Sequence, residues 1–160
     1  MSVWGKAMST RSAEARAAAG FTLIELVIAM VVVAILAAIA IPSYQAEVRK
    51  SHRTDAKTTL LDLAAREQRF YSAQNSFTAS FVNLGYATAG NPASIASPAG
   101  YYTITVNAPA PAAGANPTFT ITATATGTQA QDTACNSFTV DNTGQQLSYD
   151  SSSNPSTSCW

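Results

Sequence analysis

Glu25 is the residue whose placement most calls for a chemical role. It lies in the run 21–41, FTLIELVIAMVVVAILAAIAI, where Thr22 is the only other polar residue. A carboxylate in a membrane helix costs about 2.5–3.5 kcal/mol at the bilayer centre and less near an end, so by default it marks a functional contact. The bland alternative is a surface acid that snorkels to the interface. A functional contact needs a positive partner. Cleavage between Gly20 and Phe21 would create one, an α-amino group four residues from Glu25.

The remaining candidates carry less chemistry. Cys135 and Cys159 both lie near the C-terminus. Downstream of a membrane segment such a pair is expected to form a disulfide, with two unpaired thiols as the competing state. The bridge would close a loop of about 25 residues, for which the chain-entropy model gives about 3.5 kcal/mol. His52 has no cysteine or second histidine near it in sequence, so no metal site is expected. Asp132, Asp141 and Asp150 lack the dense alternating oxygen ligands of a calcium loop and read as loop acids. There is no glycine-rich phosphate loop and no nucleophile–base pair, so the chain is not read as an enzyme and no cofactor is expected.

Charge is distributed unevenly along the 160 residues. The net charge is +2 over residues 1–20, +1 over 21–69 and −3 from Phe70 to Trp160, which contains no Lys or Arg. Nucleic-acid binding draws on phosphate contacts from cations, so the C-terminal half is a poor partner for DNA. The stretch RKSHRTDAK, 49–57, is diluted by Asp55 and by Glu47 before it, and suits a solvated helix or a subunit interface.

Several elements must position these residues. As a helix, 21–41 spans roughly 31 Å, against a bilayer core of roughly 30 Å. An ordinary anchor leaves Glu25 unexplained. A secretory signal peptide could use the A-x-A-like site Ala38-Ile39-Ala40, but its apolar region would exceed the usual length and contain a carboxylate. Pro42 lacks an N–H and should kink or loosen the helix. Beyond it, Ala56, Leu60, Leu63, Ala64, Glu67, Phe70 and Tyr71 recur at helical spacing and predict an amphipathic helix over 43–73. Residues 74–100 read as a long irregular loop. Strict alternation then predicts strands around Tyr102–Val106, Phe119–Ala125, Phe138–Val140 and, after the turn 141–144, Leu147–Tyr149. An antiparallel sheet with one apolar face needs a cover, and the face at Leu60, Leu63 and Phe70 is the long candidate.

The segment GFTLIELVIAMVVVAILAAIAIPSY resembles the prepilin motif of type IV pilins. The resemblance implies an α+β pilin fold, a long helix on a small antiparallel sheet. It divides the chain into a leader (1–20), an apolar membrane and filament-core helix (21–42), an amphipathic helix (43–73) and a β-sheet head (74–160). It also implies that a prepilin peptidase cuts after Gly20 and N-methylates Phe21, and that Glu25 pairs with the terminal amine of a neighbouring subunit. Partners so implied are other pilin subunits, the inner-membrane assembly machinery and membrane lipid. The chain would cross the inner membrane once, with its C-terminus periplasmic, before entering an extracellular pilus. The leader departs from the commoner pattern, ending Ala17-Ala18-Ala19-Gly20 without a basic residue beside the glycine, and Met8 competes with Met1 as the start. Basic residues flank both ends of the span, so the positive-inside rule does not set orientation.

The pattern RTDAKTTLLDLAAREQRFY, with a terminal Cys-Trp, looks most like PilE-type minor pilins. The function implied is therefore a pilus subunit of the minor class. The alternatives are a type II secretion pseudopilin and a DNA-uptake competence pilin.

Overall fold

The computed structural model describes residues 20–87 and 90–160. The expected leader lies outside the described residues except for Gly20.

Helix α1 covers Leu23–Gln74, 52 residues that include Pro42. Thr22 caps its start. The Glu25 amide donates to Thr22 Oγ1 at 3.3 Å and the Leu26 amide to the Thr22 carbonyl at 3.2 Å. Threonine followed three residues later by glutamate is a capping-box pattern, and an acid in the first turn also suits the helix dipole. The chain divides into two compact units, residues up to Ala40 and Ile41–Trp160.

In the first unit, side chains from Phe21 through Ala40 are exposed, Ala37 alone being half-buried. The segment is long and apolar enough to cross a membrane by length and composition.

The second unit has its own core. Five antiparallel strands follow in sequence order: β1 (Ile95–Ala96), β2 (Tyr102–Asn107), β3 (Thr120–Ala125), β4 (Ser137–Asp141) and β5 (Gln146–Tyr149). Period-two alternation puts Tyr102, Ile104, Val106, Ile121, Ala123, Ala125, Phe138 and Val140 on the buried face and the threonines opposite. In register, Ile104 faces Ala123 and Ala123 faces Phe138, so small and large side chains interdigitate. From α1, Ala56, Thr59, Leu60, Leu63 and Glu67 are buried, the amphipathic face read from the sequence with Thr59 added.

Three expectations need correction. Residues 74–100 are not merely a loop. Phe81 and Leu84 sit in a turn and enter the core, and Ile95–Ala96 adds a fifth strand. Gly85 in this turn has φ +73°, a left-handed backbone conformation that favours glycine, and a Cβ there would also press on Arg66 Nη1 at 3.1 Å. In the last strand the apolar residues point the other way: Leu147 pairs with Thr139 and stays 38% exposed, while Ser148 pairs with Phe138 and is buried. Ser148 is tolerated because its hydroxyl donates to the Ser156 carbonyl. Finally, charges in 49–57 do not simply face solvent, because several dock the sheet region onto α1.

Candidate functional site

Two places concentrate functional groups. At the N-terminal end, Gly20, Phe21 and Thr22 precede α1 and are all exposed, Phe21 to 85%. Among the described residues, its chain neighbours aside, nothing lies within 4 Å of where a Gly20 Cβ would stand. Glu25 lies in the first turn of α1, exposed, with no ion-pair partner among the described residues. Its amide is used by the Thr22 cap, and its carboxylate makes no hydrogen bond among the described residues. The Thr22-x-x-Glu25 cap is a signal that the sequence carried and that hydrophobic periodicity alone does not reveal. Pro42 falls within α1, which continues on both sides of it.

The second concentration is in the head. Arg53 grips Asp132 with two parallel hydrogen bonds, Nε to Oδ2 at 2.7 Å and Nη2 to Oδ1 at 3.0 Å. Asp132 is only 6% exposed, so this paired, bidentate geometry offsets what would otherwise be a costly buried charge. Beside it, fully buried Gln129, from the short 3₁₀ turn Gly127–Gln131, donates to the Arg49 carbonyl at 2.9 Å and the Tyr102 hydroxyl at 3.0 Å. His52 Nδ1 lies 3.1 Å from Gln129 Oε1, and its ring stacks on Tyr101 with centroids 3.5 Å apart. Asp55 accepts from the Ser97 hydroxyl and, at 3.3 Å, the Ala99 amide. Asp132 is thus a structural ion-pair member, and the basic stretch is a docking strip for the β1–β2 turn and the 3₁₀ turn. Their pairing across 79 residues leaves no periodic signal in the sequence.

The other two loop acids are satisfied locally. Asp141 accepts from the Thr143 hydroxyl and amide and from the Gln145 amide, the Thr143 hydroxyl leading in holding its carboxyl below the ordinary range. Asp150 plays the same turn-closing role for Ser152 and Asn154. Arg66 bonds Asp62 at 2.9 Å and the Leu84 carbonyl at 3.0 Å, and stacks over Tyr86. Burial, reinforced by the bond to Asp62, pushes the Tyr86 phenol up to about 12. Lys57 lies over the rings of Phe138 and Trp160 at 6.0 and 5.8 Å.

Cys135 and Cys159 form a disulfide with a Cα–Cα distance of 5.8 Å, both buried. The bridge ties down a terminal segment that covers the β5 edge. The Ser156 amide donates to the Ser148 carbonyl at 2.8 Å, and Trp160 Nε1 to the Leu147 carbonyl at 2.6 Å. An open strand edge invites pairing with other chains, so this strap protects the sheet.

Among the described residues no group of three or more His, Cys, Asp or Glu side chains converges as metal ligands would. The features that stand out among the described residues are an exposed segment before α1, an exposed apolar helix with one carboxylate, and a braced head.

Residues 15–41 match the prokaryotic N-terminal methylation motif. Residues 42–139, well over half of the chain, match the family described as type IV minor pilin ComP, DNA uptake sequence receptor. Among curated proteins, the chain is 38% identical over 68 residues to the type IV major pilin PilA of Myxococcus xanthus, covering 42% of this chain and 31% of that one. It is 39% identical over 80 residues to the type IV major pilin PilE1 of Neisseria gonorrhoeae, covering 50% and 33%. The chain thus spans about a third of the length of these relatives. A solved type IV pilin from Shewanella oneidensis aligns with 70% of this chain and 97% of its own, at 23% identity and a TM-score of 0.44. With the methylation motif over the apolar helix and a pilin family match over the braced head, this chain belongs to the type IV pilin family.

Proposed function

We propose that the chain is the precursor of a minor subunit of a type IV pilus. A prepilin peptidase cuts after Gly20 and methylates the new Phe21 terminus. The helix 21–42 holds the subunit in the inner membrane, with the head periplasmic, until the assembly machinery moves it into the filament. There Glu25 pairs with the terminal amine of a neighbouring subunit, and Pro42 loosens the helix where the apolar run ends. The observation that carries this reading is the exposed apolar face of 21–41 with a single carboxylate in its first turn that has no ion-pair partner among the described residues. In a low-dielectric filament core, pairing that carboxylate with an ammonium removes two isolated charges at once. Assignment to the minor class rests on the family match over 42–139.

N-terminal sequencing with mass analysis of the mature protein tests the processing step. A methylated Phe21 terminus is expected; a terminus at Ile41 would mean signal-peptide cleavage and end this account.

A second reading, a DNA-uptake receptor, is favoured by the description of the matching family. The head's electrostatics weigh against strong phosphate binding, since no Lys or Arg follows Arg69 and Arg66 is engaged by Asp62 and Leu84. Under that reading Arg69, which forms no ion pair among the described residues, is a candidate phosphate contact. A salt-sensitive mobility shift of duplex DNA, lost in Arg69→Gln, would establish it.

A further inference from the structure

A groove of about 420 Å³, lined by Tyr44, Val48, Arg49, His52, Thr128 and Gln131, has no part in the function proposed above. Its charge is uncompensated. Lys50 pairs with Glu47 at 3.9 Å and Arg53 with Asp132 at 2.7 Å, whereas Arg49 has no acidic partner among the described residues. The His52 ring is held by Tyr101 and Gln129, leaving Nε2 without a protein partner among the described contacts. Thr128 and Gln131 add neutral polar groups to the same wall.

Covalent connection ties this groove to the end of the apolar run. Tyr44 and Arg49 follow Ile41 by three and eight residues, a helical rise of roughly 5 and 12 Å. The polar layer on each side of a bilayer core is about 5–8 Å thick. Tyr44, exposed, falls inside that layer with an amphipathic ring at headgroup depth. The Arg49 backbone lies about 4 Å beyond it, within reach of a long side chain that leaves a helix tilted toward its N-terminus and whose guanidinium matches phosphate bidentately.

We propose that, while the subunit is held in the bilayer, this groove seats the phosphate of an anionic phospholipid headgroup, with Arg49 as its cation. The proposal rests on the membrane-held precursor described above. Filament entry would then require Arg49 to exchange a lipid phosphate for contacts with neighbouring subunits.

The test uses the full chain in nanodiscs of phosphatidylcholine containing a minor fraction of phosphatidylglycerol, with bound lipid read by native mass spectrometry. Phosphatidylglycerol should be enriched on the wild type. Arg49→Gln should lower that retention about tenfold, the equivalent of one charge-assisted hydrogen bond. Arg49→Lys should keep most of it, and Lys50→Gln, already paired with Glu47, should change nothing. The Arg49 side chain makes no hydrogen bond among the described contacts, so these variants should fold, which near-UV circular dichroism checks. Carbonate extraction separates the two levels. A chain washed out of the bilayer defeats the membrane-held reading. A chain that stays inserted yet holds both lipids equally, or responds alike to Arg49→Gln and Lys50→Gln, overturns the groove assignment alone. Duplex DNA bound in an Arg49-dependent way, with lipid retention indifferent to Arg49, would make the groove a nucleic-acid contact and equally overturn it.

Discussion

The segment 21–40 and the head beyond it solve opposite problems with similar side chains. In the first, Leu, Ile, Val and Met stay exposed, and nothing among the described residues covers them. In the second, Leu60, Leu63, Ile104, Ile121 and Val140 are buried against aromatic residues, and the exposed face is threonine. Burial of each such side chain is worth about 1.5–3 kcal/mol, so the head gains its stability internally, while under the proposed function the helix finds its own in lipid or in other subunits. Hydrophobicity therefore means fold in one region and partner in the other.

Truncating matched apolar residues in the two regions should sharpen that contrast most. Phe138 is fully buried and packs edge-to-face on Tyr102 and Trp160, with centroids 5.9 and 5.7 Å away. Phe138→Ala should cost the head about 3–5 kcal/mol. Val33→Ala, in the exposed run, should leave head stability unchanged. Chemical denaturation of the full chain in detergent, followed by near-UV circular dichroism, reads both. A head melt sensitive to Val33→Ala would break the division.

The disulfide belongs wholly to the head and should act there alone. Replacing Cys135 and Cys159 by serine removes a 24-residue tether, and about 3.5 kcal/mol should go with it. The loosened strap would also uncover the β5 edge, so the variant should aggregate through strand pairing when its wild-type counterpart does not. Light scattering on matched samples would detect this, and a monodisperse variant would argue that the strap does not guard the edge.

Next in size comes the Arg53–Asp132 clasp. Asp132→Ala should cost about 3 kcal/mol, because it strands a mostly buried guanidinium as well as deleting the bonds. Arg53→Met combined with Asp132→Leu should recover much of the loss. Equal costs for the single and double variants would mean that the pair acts through something other than its charge.

How far the sequence foretold these features depends on how local each one is. The apolar run, the helix face from Ala56 to Phe70 and the strands with strict alternation could all be read, since each is set by period and neighbour type. Leu147 misled because two apolar residues two apart look like an inward face. Pairing with β4 put Ser148 opposite Phe138 instead, and the terminal strap supplied the serine's partner. Phe81 and Leu84 were hidden because turns carry no period, and their burial depends on the whole head closing over them. At the N-terminal site, Glu25 stood out against its apolar surroundings. The docking strip did not, because Arg53 and Asp132 meet only once the chain has folded.

Glu67 yields the smallest and most pH-specific effect. It occupied a place in the apolar pattern of α1, and it is indeed buried, at 0% exposure, with Oε2 accepting from the Thr78 amide at 3.1 Å and Oε1 without a partner among the described residues. Burial pushes its carboxyl up from 4.5 to about 7, with the Thr78 amide opposing. The folded state therefore holds this proton where the unfolded chain has lost it. The head keeps its full stability with respect to this group below pH 4.5 and loses it progressively as pH rises to about 7. That displacement corresponds to at most about 3.5 kcal/mol, and relaxation around the carboxylate should bring the measured value nearer 2 kcal/mol. Asp62 and Asp141, held below their ordinary values chiefly by hydrogen bonds from Tyr86 and Thr143, work in the opposite sense and weaken the fold only as pH falls below about 4. Glu67→Gln keeps an acceptor for Thr78 and cannot ionise, so its denaturation midpoint should stay level between pH 4.5 and 7 while the wild type declines. Parallel declines in the two proteins would place the titration elsewhere in the head. Membrane retention should be indifferent to the substitution, because the apolar helix draws its stability from its surroundings rather than from this core.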